Sequence, residues 1–161
     1  KFEIRYYGNL LMVTTQVDKK VASSPELFYK LFSYISGKNL SAHEINMTAP
    51  VVLDQKNGQT TSMSFVLPQN LTLQSTPSPL DENLIISELN DLTVAVMTFS
   101  GFLNQSNISK HETLLKAWID SKQMKIIGST RVAGYNPPYT LPFLRRNEII
   151  IEIDANSVSM D

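Results

Sequence analysis

Phe2, Ile4 and Tyr6 alternate with Glu3 and Arg5, and after Gly8-Asn9 a run from Leu10 to Val17 is rich in branched residues. Alternation with a period of two predicts a pair of strands joined by a turn. The period changes at Ser23-Ser24-Pro25-Glu26, which reads as a helix start: serine accepts from orphan N–H groups, proline fits the first turn and glutamate suits the positive end of the dipole. Phe28, Leu31, Phe32 and Ile35 then recur at helical spacing as one apolar stripe, and Gly37 supplies a stop. Met47 to Leu53 and Thr61 to Leu67 read as strands around an Asn57-Gly58 turn. Pro68, Pro77 and Pro79 make the stretch from Pro68 to Asn83 a connecting loop.

Beyond that loop the order recurs. Leu84 to Leu89 and Leu92 to Phe102 read as strands, Ser106 to Lys122 as a helix capped by Ser109 with Glu112, and Ser129 to Tyr135 and Glu148 to Asp154 as strands. Each half, 1–68 and 84–155, therefore reads strand-strand-helix-strand-strand, which predicts an α+β fold with eight strands, a ββαββ repeat and a pseudo-twofold relation. One helix cannot cover both faces of a four-stranded sheet. The sheets are expected to join into a curved or barrel-like body, with a groove at the seam between halves.

Composition narrows the function classes. The 161 residues, 42% of them apolar, fit one domain, 1–161, with a real core. Lys and Arg number 14 against 15 Asp and Glu, so no basic field tracks a phosphate backbone and nucleic acid is not an expected partner. The absence of cysteine excludes disulfides, thiol nucleophiles and iron–sulfur ligation. No apolar run approaches the roughly 18 residues of a membrane-spanning helix, so the expectation is a soluble chain. Lys1-Phe2-Glu3-Ile4 begins directly in strand-like sequence, which leaves open a targeting segment ahead of it.

The search for catalytic motifs is mostly negative. His43-Glu44 and His111-Glu112 begin like a zinc-protease motif, but Met47 and Leu115 stand where the second histidine belongs. His111 shares a helical face with Leu115, Trp118 and Ile119 and reads as a half-buried structural histidine. His43 lies in a polar stretch and reads equally as a loop residue or a cofactor contact. Arg145 and Arg146 precede a strand, where adjacent side chains point to opposite faces, so at most one aims into a given groove. Tyr135-Asn136-Pro137-Pro138-Tyr139-Thr140-Leu141-Pro142-Phe143 forms a stiff amphipathic rim, or simply a rigid crossover. Sequons occur at Asn46, Asn70, Asn104 and Asn107, and chance outweighs glycosylation as their explanation.

The ordered set Phe2-Glu3-Ile4-Arg5-Tyr6-Tyr7-Gly8, Gly37-Lys38-Asn39, Met47-Thr48-Ala49-Pro50-Val51, Ser64 to Pro68, Val94-Ala95-Val96 with Phe99-Ser100-Gly101, and Tyr135-Asn136-Pro137-Pro138 through Glu148 resembles the SOUL, or haem-binding protein, family. The likeness runs from residue 2 to about 153, and the last stretch is closer to the plant and bacterial branch. It implies a distorted antiparallel eight-stranded β-barrel flanked by two helices. It also implies non-covalent binding of haem or another porphyrin in a shallow apolar groove, as carrier, buffer or sensor. The implied cofactor contacts are Tyr6, His43, Met47, Tyr135, Tyr139, Phe143, Arg145 and Arg146, with a rim arginine pairing a propionate. Some members carry histidine, proposed as an axial ligand, where this chain has Tyr6; the iron-ligand candidates are His43, Tyr6 and His111.

Two other readings stand beside this one. One is an interaction or effector-sensing module for a peptide or small amphipathic ligand. The other is an enzyme acting on a tetrapyrrole, for which His43 with Glu44 is the compact acid–base candidate. The plant-like stretch points to plastid or cytoplasm, and the sequons toward secretion.

Overall fold

The computed structural model describes residues 1–17 and 24–159. Among these residues six strands, β1 (Phe2–Gln16), β2 (Val51–Lys56), β3 (Gln59–Val66), β4 (Leu84–Phe99), β5 (Ile126–Gly134) and β6 (Asn147–Ile153), close an antiparallel barrel in the order β1-β3-β2-β5-β6-β4. Helix α1 (Ser24–Ile35) follows β1 and helix α2 (Gln105–Ser121) follows β4. No helix among the described residues is long and apolar enough to cross a membrane.

The expected eight strands are six, because neither half opens with a hairpin. Phe2–Gln16 and Leu84–Phe99 are single long strands that pair with each other in one register, from Phe2↔Met97 to Thr15↔Leu84. Gly8 and Asp91 stand at the one step this ladder omits, and Asp91 has a φ of 54°. Gly8-Asn9, which reads as a turn, and the break between Leu89 and Leu92 thus lie inside two continuous strands and reverse neither. Each half runs strand, helix, strand, strand, not ββαββ. The expected strand from Met47 starts at Val51, because Pro50 has no N–H to give a ladder. Asn57 and Gly58 do form the β2–β3 turn, at φ 51° and 75°.

Side-chain parity divides the barrel wall. Leu11, Val13, Met63 and Phe65 pack under α1, and Ala95, Val132, Ile149, Ile151 and Ile153 pack under α2. The intervening residues face the barrel axis, so Ile149-Ile150-Ile151 is apolar toward both sides. On α1 the buried stripe is Leu27, Leu31, Tyr34 and Ile35, rotated from the expected one, while Phe28 and Phe32 sit half-exposed at its edge. Leu31 and Ile35 belong to both stripes; Tyr34 wins the inner position because its buried hydroxyl donates to Pro77 O at 2.6 Å. Burial pushes that phenol up to about 12. The start signal at Ser23 lies outside the described residues.

Helix α2 is capped at Asn104, five residues before the expected Ser109. Asn104 accepts from the Asn107 N–H, while Ser109 accepts from Gln105 and Glu112 pairs with Lys116. The Asn107 amide donates to Ser100 O and Phe102 O, so this sequon nitrogen is committed to the turn before the helix. Leu115 is fully buried between α2 and the sheet. Leu115→Ala is expected to cost about 2–5 kcal/mol, read as a fall in the urea midpoint without loss of cooperativity.

Candidate functional site

All six strands contribute to a cavity of about 280 Å³ inside the barrel. Its walls are Met12 (β1), Val52 (β2), Val66 (β3), Leu92 and Val94 (β4) and Ile150 (β6), with Arg131 of β5 as a charged lining residue. Tyr7, Leu10, Leu89, Tyr135, Gln69, Ala49 and Pro50 complete the lining. Side-chain parity changes across Gly8 and Asp91, so Tyr7 and Leu92 on one side, and Leu10 and Leu89 on the other, line the same space.

Beside this cavity lies a buried charge network. The Glu148 side chain is fully inaccessible, yet it accepts two bonds from Arg5 at 2.9 Å each, one from Arg146 Nη2 at 2.7 Å and one from the Tyr135 hydroxyl at 2.8 Å. Arg5 also reaches Glu3 and the Tyr7 hydroxyl, and Arg146 stacks over the Tyr135 ring at 4.8 Å. Burial pushes the Glu148 carboxyl up, but the bonds from Arg5, Arg146 and Tyr135 outweigh it and hold the group below the ordinary carboxylate range. Burial, and then the bond to Glu148, push the Tyr135 phenol well above its ordinary value. The phenol therefore serves as a donor at neutral pH.

The expected site residues divide by location. Tyr135 lines the cavity, and Met47 is half-exposed two residues before Ala49, which also lines it. Tyr139 and Phe143 are 86% and 71% exposed on the connection between β5 and β6, beside exposed Leu141 and Leu144. Arg146 turns to Glu148, whereas Arg145 turns away, donates to Thr140 O and Pro138 O and stacks on Phe102. Arg145 thereby stiffens the rim.

The iron-ligand candidates do not converge. Tyr6 is exposed on the opposite face of β1 from Arg5 and Tyr7, and its hydroxyl donates to Asp91, a bond that raises its pKa. A phenol held in its protonated form is not the phenolate that grips ferric iron. His111 stacks on Phe99 with ring centres 4.3 Å apart, and its Nδ1 meets Asn107 O at 2.7 Å. Since a carbonyl only accepts, Nδ1 carries the proton and the ring is tied to its own helix. His43 is exposed, with its backbone N–H held by Asn39 Oδ1. Among the described residues no cluster of three or more His, Cys, Asp or Glu stands ready for a metal. Among the described residues, exposed Tyr139, Leu141 and Phe143 with the half-exposed Arg146 suit the apolar body and acidic edge of a porphyrin, and Tyr6, His43 and His111 do not pair as axial ligands.

Sequence reasoning passes over Arg5, Tyr7, Arg131 and Glu148. The signal for the first two is parity: Arg5 and Tyr7 share a face that Tyr6 does not. The signal for Glu148 is a carboxylate opening an otherwise isoleucine-rich strand, which demands buried partners.

Known proteins resemble this chain throughout. A family model described as SOUL heme-binding protein matches residues 1–152. Heme-binding protein 2 of Homo sapiens is 32% identical over 165 aligned residues, covering 96% of this chain and 78% of that protein. Among solved structures, the EcmrR C-terminal domain superposes with a TM-score of 0.70 at 10% identity, covering 96% of this chain and 97% of that one. SAV2435 bound to tetraphenylphosphonium superposes with a TM-score of 0.53 at 11% identity, covering 97% and 95%. At those identities the two structures share the fold alone.

Proposed function

Because this chain belongs to the SOUL heme-binding protein family, we propose that it binds haem or a related tetrapyrrole non-covalently, as a carrier, buffer or sensor of the pigment. The observation that carries this reading is the exposed rim. Tyr139, Leu141 and Phe143 are 86%, 55% and 71% exposed, on a segment whose first residue, Tyr135, lines the cavity. Exposed aromatics held stiffly at a cavity's edge offer area to a flat ligand without costly ordering. In this reading the macrocycle lies against the rim and the segment ending at Met47, outside the lumen, which at about 280 Å³ is too small for it.

Arg146 is the propionate partner. Its side chain is 54% exposed, and if it swings to a ligand carboxylate, Glu148 keeps the two bonds from Arg5 and the one from Tyr135. Arg145 holds the rim from behind and is not counted among the contacts. Binding rests on apolar contact and propionate pairing, so the iron is not its main determinant.

Hemin titrated into micromolar protein is expected to give a saturable Soret shift, and metal-free protoporphyrin IX to bind within about threefold of it. Arg146→Ala weakens both by about fivefold, while Tyr6→Phe and His43→Ala leave both unchanged. Absence of saturation removes the proposal. Tight hemin binding with none by the metal-free porphyrin assigns the affinity to iron ligation instead.

A further inference from the structure

We propose that the barrel lumen is a second ligand site, separate from the rim, that takes a flat apolar molecule of about two fused rings carrying one carboxylate. Size sets the first limit. An apolar cavity of about 150 Å³ holds one benzene ring, and the lumen measures about 280 Å³. Met12, Val52, Val66, Leu92, Val94 and Ile150 give it apolar walls from five strands.

Charge sets the second limit. Arg131 lines this space with its side chain only 18% exposed. Its Nε donates to Asp54 Oδ1 at 3.1 Å, and the other oxygen of Asp54 takes the Ser62 hydroxyl at 2.9 Å. The four N–H groups on the two terminal nitrogens bond to no described residue, although a guanidinium has five donors to satisfy. Among the described residues no carboxylate lines the lumen. Of the two lining tyrosines, the Tyr7 hydroxyl receives from Arg5 and the Tyr135 hydroxyl donates to Glu148. A planar carboxylate matches the outward edge of the guanidinium with two parallel bonds. An apolar ring system behind it fills the lumen, and a cationic ligand finds no partner there.

The probe is 2-naphthoate, followed by calorimetry, with the neutral isostere 2-naphthamide as comparison. Naphthoate is expected to bind one-to-one and about tenfold more tightly than the amide, and Arg131→Gln to erase that preference. Val94→Phe and, independently, Val66→Phe fill the lumen and abolish naphthoate binding; circular dichroism and melting curves identify the variant that keeps the fold. Hemin affinity in that variant stays within about threefold of the parent, which separates this site from the rim. The proposal is overturned by non-saturable naphthoate binding, by equal affinity for acid and amide, by naphthoate affinity surviving in a folded lumen-filled variant, or by hemin displacing naphthoate competitively. If hemin fails to bind while naphthoate behaves as stated, the rim reading falls and the lumen site stands.

Discussion

Glu148→Gln is expected to destabilise the protein by about 3–5 kcal/mol, the largest effect of any single conservative change in the barrel. The amide keeps the shape but leaves Arg5 and Arg146 facing a neutral group at a position whose side chain is fully inaccessible. Arg5, only 19% exposed, would retain Glu3 as its one anion. Breaking one partner of a buried pair costs more than the pair contributes, because the remaining charge stays desolvated. With a urea slope of about 2 kcal/mol per molar, the midpoint should drop by about 2 M. The acid limb supplies a second readout. Glu148 titrates below the ordinary value of 4.5, so its stabilising contribution is complete above that pH and is lost as pH falls through the lower folded value. The variant should lack this share of the acid loss, while Glu112 and Glu3, also held low, keep theirs. A midpoint within a few tenths of a molar of the parent, with an unchanged acid limb, would mean that the network carries no net stability.

Glu148 and the rim residues differ in how far a one-dimensional pattern reveals them. Period-two alternation and helical spacing place strands and helices along the chain, because those signals are local. Strand count fails at Gly8-Asn9: a turn signal is local, and only the distant partner strand decides whether the chain reverses there or pairs straight through. The α1 stripe is misplaced because Phe28 and Tyr34 both satisfy the helical period, and the choice between them depends on Pro77, forty-three residues away. The rim from Tyr135 to Arg146 is legible because proline and aromatic residues cluster in the sequence itself. The lumen is not, since each of its walls comes from a different strand and only barrel closure assembles them.

The rim is where ligand affinity should be most sensitive and stability least. Tyr139→Ser with Phe143→Ser is expected to weaken hemin on the order of a hundredfold, since each aromatic that a macrocycle covers contributes roughly 1–1.5 kcal/mol and each 1.4 kcal/mol is a factor of about ten. The melting temperature should not move, because both side chains are largely exposed and take no part in any of the buried clusters. Arg145 continues to hold Pro138 O and Thr140 O in that variant, so the backbone of the rim keeps its place and the change removes area alone. Arg145→Ala provides the contrast: it leaves both aromatics in the chain but releases the segment that presents them, and should raise the dissociation constant through a slower, more variable association. Spectroscopic titration of the two variants beside the parent decides the matter. If the double serine variant binds hemin as the parent does, the pigment lies elsewhere on the barrel and the exposed aromatics serve a different contact.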